Sequence, residues 1–221
     1  MSEQTPKYKF AMIFSAGKDS AIAMDRMIRE GHTPVCLITA YNQIGLSHMH
    51  LIRKNFIRQY GEVMDLPVIA VQMNDKYDFD AWKKAIENMV SQYDVQAVCT
   101  GDIAFEYSRL HVTELAESYG LKTFSPLWNI EEDELIKEIL NINVIIKSLS
   151  SSLELDDLLG KRLDEDAIAR LHEKGLILNK DTSDLHTLTI DAPMFSRPIH
   201  YVTGKVIRGR GTSLIDIHSA L

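Results

Sequence analysis

Cysteine is scarce in this chain. Its 221 residues include 2, Cys36 and Cys99, each inside an apolar run and neither in a C-x-x-C pair nor beside a histidine cluster. That pattern excludes a disulfide framework and a cysteine-built zinc site, and fits two buried thiols in a reducing compartment. Excess positive charge is missing too: the formal net charge is −7. General nucleic-acid binding, which needs basic surface to release counterions, is therefore not expected. No apolar run approaches the roughly 18 residues of a membrane span, and the opening MSEQTPKYK is too polar for a secretory signal. The expected location is the cytoplasm, with no membrane partner. Internal repeats and low-complexity tracts are absent as well.

What is present is a rhythm. Phe10 to Phe14 (FAMIF), Pro34 to Thr39 (PVCLIT), Pro67 to Val71 (PVIAV), Val95 to Thr100 (VQAVCT) and the short Leu121 to Phe124 read as strands buried on both faces. Between them, helical spacing runs over Asp19 to Glu30, Leu51 to Met64, Phe79 to Tyr93 and Ser108 to Tyr119. Strands alternating with helices predict an α/β fold, a doubly wound parallel five-stranded sheet, over 1–125. After Pro126 the rhythm changes. Glu131 to Leu140 and about Asp164 to Lys174 are helical, Asn143 to Lys147 is a strand, and His186 to His218 is rich in β-formers punctuated by proline and glycine. A smaller C-terminal α+β domain over 126–221 is expected.

Doubly wound sheets bind ligands beyond the carboxyl ends of their strands. The stretch FSAGKDS, Phe14 to Ser20, occupies that place after the first strand. It is not Walker A, which would need glycine where Met12 stands and Ser or Thr where Asp19 stands. It is not G-x-G-x-x-G either, because Gly17 stands alone. What remains suits a phosphate cradle: helix N-terminal amides, small residues, the Ser15 and Ser20 hydroxyls and the charge of Lys18. Asp19 suits it if it holds Mg²⁺, which binds through one or two carboxylates plus substrate phosphates. The plain alternative is a strand-to-helix turn with Asp19 as a helix cap.

The S-x-G-K-D-S pattern resembles the pyrophosphate loop (S-G-G-x-D-S, the PP-loop) of the N-type ATP pyrophosphatases. Ser47-His48-Met49-His50, Gly101-Asp102-Ile103 followed by Arg109, Pro126-Leu127-Trp128, and Leu185-His186-Thr187 leading into Asp191-Ala192-Pro193-Met194-Phe195 are similar to the diphthine–ammonia ligase family, in order over nearly the whole chain. The resemblance implies a Rossmann-like (HUP) ATP-binding domain and a second domain closing over its cleft. The implied reaction is adenylation of a carboxylate by ATP with Mg²⁺, followed by amide formation with ammonia and release of AMP and pyrophosphate. A homodimer is the family's habit. Two departures stand out. Ala16 replaces the usual glycine, which an alanine tolerates if φ stays negative. The family's Glu-Gly-Gly-Glu before the position of Leu185 is Asp181-Thr182-Ser183-Asp184 here, which leaves the acceptor open.

Carried over residue by residue, the resemblance gives Lys18 the departing pyrophosphate and Asp19 the metal. Ser15, Ala16, Gly17 and Ser20 line the phosphates. Ile38, Thr39 and Ala40 at the end of the second strand are placed to flank adenine, with plain core as the alternative. Gly101 would admit the nucleotide closely, and Asp102 would accept from ribose or the amine, or else cap the next helix. On the acceptor side stand Ser47, His48, His50, Arg109, Asp184, His186 and Thr187. Their plainer readings are surface loop residues and, for Arg109, a solvated helix face. Cys99 sits where some thiolating relatives keep a reactive cysteine, but lacks a second motif cysteine nearby and reads as a buried strand residue. No glutaminase machinery is recognisable, so ammonia comes from solution or a partner. The other readings that share the loop are sulfur transfer and a regulatory protein that binds ATP or AMP without turnover.

Overall fold

The computed structural model describes residues 6–47, 50–74, 78–104, 106–180 and 184–220, with the backbone alone for 106–111. Five parallel strands, β1 (Lys9–Ile13), β2 (Thr33–Tyr41), β3 (Val68–Gln72), β4 (Ala97–Cys99) and β5 (Lys122–Phe124), form one sheet in the order β3-β2-β1-β4-β5. The order reverses beside β1, so its carboxyl end is the switch point of the sheet and the loop that follows opens into it. Four helices connect these strands: α1 (Lys18–Arg29), α2 (Lys54–Met64), α3 (Phe79–Gln92) and α4 (Glu106–Ser118). β1 shows why both faces are covered. Phe10 and Met12 enter one core with Met24, Met27 and Phe56 of α1 and α2. Ala11 enters the other with Ala85 and Met89 of α3. Successive side chains leave a strand on opposite faces, and here each face has its own apolar partner.

The remaining elements are α5 (Glu132–Leu140), β6 (Asn143–Ser150), α6 (Glu165–Glu173), β7 (Leu185–Asp191), β8 (Tyr201–Arg208) and β9 (Thr212–Ser219). The four strands make an antiparallel sheet in the order β7-β6-β9-β8. It lies over the α1 and α2 side of the first sheet, because Leu149, Leu188, Ile190 and Ile215 belong to the same buried cluster as Phe10 and Met24. Polar ties reinforce the contact. The Tyr60 hydroxyl donates to the Thr189 carbonyl at 2.7 Å, and the Ser196 hydroxyl to the Val63 carbonyl at 2.8 Å.

Most boundaries shift by one or two residues from the sequence pattern, and two shift by three. Helix α2 begins at Lys54 rather than Leu51, because the Ile52 amide donates to Ser47 Oγ and its carbonyl accepts from the Ser47 amide. That closed turn takes Leu51 out of the helix, with φ of 51°. Strand β6 runs on to Ser150 rather than stopping at Lys147. Its polar residues are accommodated because Ser148, Leu149 and Ser150 pair with β9.

Candidate functional site

The loop leaving β1 is shaped by its small residues. Ala16 has φ of 68°, against the expectation of a negative value. The left-handed turn costs an alanine about 1–2 kcal/mol. In this conformation its carbonyl accepts from the Thr189 amide of β7 at 2.9 Å, and the residue is fully buried. Gly17 then caps α1 without a side-chain bond. A methyl group on Gly17 would lie 2.6 Å from the His50 ring, and one on Gly101 would lie 2.7 Å from the Ser20 backbone nitrogen. Gly101 thus makes room for the first turn of α1 itself.

The side chains converge on this turn. Lys18 is buried, and its ammonium holds both carboxylate oxygens of Asp19, at 2.6 and 2.8 Å. Ser15 Oγ meets Ser20 Oγ at 3.2 Å, His50 Nε2 at 3.1 Å and the Gly17 amide at 3.3 Å. From β7, Thr187 Oγ1 accepts from the Lys18 amide at 3.0 Å. His186, next along the strand, stacks edge-on against His50 with ring centroids 5.3 Å apart. The His50 Nδ1 is buried with no hydrogen-bond partner among the described residues. Burial, helped by the charges of His186, Lys18 and Lys147, holds the His50 imidazole well below its ordinary pKa. It is neutral at pH 7.

Lys147 was not among the residues singled out from sequence. It lies in β6 with 2% of its surface exposed. In the β6–β7 register Ile146 faces Thr187 and Ser148 faces His186, so Lys147 is the extra residue of a bulge between them. Its ammonium donates to the Ile215 carbonyl, and burial lowers its pKa from 10.5 to about 8. Its sequence signal is faint, a lysine ending the apolar run NVIIK.

The other predicted residues divide. Ile38 is fully buried and packs with Cys36 and Ala85 in the core on the α3 side, while Thr39 is buried and Ala40 is half-buried at the strand end. Ser47 is buried and closes the turn before α2. Asp102 is half-buried after β4, and its charge adds to the burial that raises the Cys99 thiol pKa. Asp184 is half-buried, and its carbonyl accepts from the Ser150 amide. Arg109 lies on α4, its side chain outside the described residues; His48 and Asp181 lie outside them too. Cys36 and Cys99 are buried free thiols. Burial pushes Cys36 up to about 12 and Cys99 higher still. Among the described residues no helix is long and apolar enough to cross a membrane.

Comparison with known proteins places this geometry in context. Residues 8–123, just over half of the chain, match the family model of the diphthamide synthase N-terminal domain. The chain is 27% identical to the human diphthine–ammonia ligase over 90% of its own length and 85% of that protein's. It is 26% identical to the diphthine–ammonia ligase of Schizosaccharomyces pombe over 88% of its own length and 36% of that longer protein. Among solved structures, a predicted subunit of tRNA methyltransferase from Methanocaldococcus jannaschii aligns with a TM-score of 0.45 and 16% identity, over 83% of this chain and 97% of that one.

Proposed function

Because this chain belongs to the diphthamide synthase family, we propose that it is an ATP-dependent amide-forming ligase that joins a carboxylate, that of diphthine on a protein, to ammonia. ATP supplies the adenylyl group that turns a carboxylate oxygen into a leaving group, with pyrophosphate and then AMP released. The observation that carries this reading is the uncapped start of α1 at Gly17, with Lys18 beside it and β7 laid across it. Helix N-terminal amides and a lysine oppose the charge that grows on departing phosphate oxygens, and preorganised donors of that kind act most strongly where water is excluded.

The chain's residues divide the work. Lys18 neutralises pyrophosphate once its ammonium exchanges the Asp19 carboxylate for phosphate oxygens. Ser15 and Ser20 add hydroxyl donors, and His50 fixes the Ser15 hydroxyl through Nε2. Thr187 holds the Lys18 amide in the closed arrangement and must share or yield it when an anion arrives. Mg²⁺ fits here with a condition. Among the described residues no three acidic, histidine or cysteine side chains gather to hold a metal. Asp19, whose side chain is 33% exposed, is a single carboxylate. One carboxylate suffices for Mg²⁺ only when substrate phosphates supply the other oxygens, so Asp19 would hold the metal together with the nucleotide. Sulfur transfer fits less well, because burial holds both thiols protonated.

Product analysis tests the proposal. ATP, ammonium and a diphthine-bearing protein should yield AMP and pyrophosphate, and Lys18→Ala should lower their formation about 10²- to 10³-fold. ADP and orthophosphate as products would overturn adenylation. ATP binding without turnover would mark a nucleotide-binding regulator. The cytoplasmic location and the homodimer are further parts of this proposal, and light scattering in solution tests the second.

A further inference from the structure

Two polar groups near the loop lack the partners that burial demands. Lys147 is 2% exposed. Among the described residues its ammonium bonds to one carbonyl, that of Ile215, and forms no ion pair. The acidic group whose charge it feels, Asp216, is bonded to His218 at 2.7 Å. An ammonium has three donors, and a buried cation without a carboxylate is costly. The second group is His50, whose Nδ1 is buried and unpartnered. The two are neighbours through β7. Lys147 bulges between the pairs Ile146–Thr187 and Ser148–His186; Thr187 bonds the Lys18 amide and His186 stacks on His50. Bulges re-aim side chains and recur beside active sites.

We propose that Lys147, with His50 and His186, forms a second anion subsite on the β6–β7 side of the loop, which receives the carboxylate to be activated. This deepens the ligase reading and rests on it. Two anions must meet above Gly17, a phosphate and a carboxylate, and the loop's own amides and Lys18 serve the first. Lys147 comes from the other sheet, where its ammonium rests on the Ile215 carbonyl of β9 and its charge reaches the His50 ring. It is a cation that, among the described residues, is bonded to a carbonyl and to no carboxylate. An empty buried cation site of this kind costs stability, and that cost is removed when a carboxylate binds.

The test uses the full chain, labelled with ¹⁵N at lysine Nζ and in the histidine rings, titrated separately with acetate and with inorganic pyrophosphate. Acetate should shift the Lys147 ammonium and the His50 ring; pyrophosphate should shift Lys18 and leave Lys147 in place. In Lys147→Met, acetate binding should weaken about tenfold or more, since a hydrogen bond to a charged group is lost. The same variant should melt at a higher temperature than the parent at pH 7. If acetate moves neither group, or pyrophosphate moves Lys147 as strongly as Lys18, the carboxylate subsite is wrong. A lower melting temperature for Lys147→Met would make the lysine a packing element and also overturn it. Failure of pyrophosphate to shift Lys18 would instead strike the ligase reading itself.

Discussion

Two lysines are buried where the sheets meet, one on the loop after β1 and one on the bulge of β6, and they are held differently. Lys18 lies at the first turn of a helix and carries its own counter-charge, Asp19, one residue along. Lys147 lies in the middle strand pair of an antiparallel sheet and is given a backbone carbonyl. The pairing at Lys18 is local, and Asp19, whose side chain is 33% exposed, stays in reach of water when the pair opens. The arrangement at Lys147 is not self-sufficient. On the proposals above, the loop built from neighbours in sequence would serve a phosphate that brings its own cation, whereas the strand from the far sheet would offer its charge to a carboxylate.

The sharpest way to break this contrast is kinetic. Lys18→Ala should lower pyrophosphate formation about 10²- to 10³-fold at saturating substrates, as loss of a preorganised donor does. Lys147→Met should instead raise the KM of the carboxylate substrate about tenfold or more and leave that of ATP unchanged. Equal effects of both variants on both substrates would merge the two regions into one. Next in size is Gly101→Ala, whose methyl group meets the backbone of Asp19 and Ser20. Overpacking against backbone should cost about 1–3 kcal/mol in denaturant unfolding and weaken pyrophosphate binding in a titration. Thr187→Val removes the acceptor from the buried Lys18 amide, at about 1–3 kcal/mol. Pyrophosphate should then raise the melting temperature of this variant more than that of the parent, because it supplies the missing acceptor.

A pH series isolates the contribution of Lys147. The folded pKa of Lys147 is about 8 and its ordinary value 10.5. Between them the unfolded chain holds the proton and the folded chain does not, so this group's penalty is complete below pH 8 and fades as pH rises toward 10.5. The melting-temperature advantage of Lys147→Met should therefore be largest near pH 7 and close toward pH 10. The smallest effect is expected at Ala16. Ala16→Gly relieves the left-handed φ of 68° but frees the unfolded chain and empties a buried methyl site, so the unfolding free energy should change by less than about 1 kcal/mol.

The contrast also explains what the sequence could show. β1 and the loop were readable because their signals are contiguous: an apolar run, small residues, then an amphipathic helix. The parallel sheet followed from the same repetition. The positive φ of Ala16 was not readable because the acceptor and donor that hold it, its carbonyl and the Thr189 amide, lie far apart in the chain. The packing of Gly101 against the first turn of α1 was not readable because the two are equally distant in sequence. Lys147 was invisible for a related reason. A lysine ending an apolar run looks like a strand terminus, and only the β6 pairings with β7 and β9 reveal that the strand continues past it.

Isotope transfer tests the central claim most directly. A diphthine-bearing protein labelled with ¹⁸O in its carboxylate is incubated with ATP, ammonium and the enzyme, and the nucleotide is analysed by mass spectrometry. In adenylation a carboxylate oxygen bonds to the α-phosphorus and stays there when ammonia breaks the bond to carbon. The account predicts one ¹⁸O in AMP for each amide formed. Label in orthophosphate, or none in AMP while the amide accumulates, would contradict it.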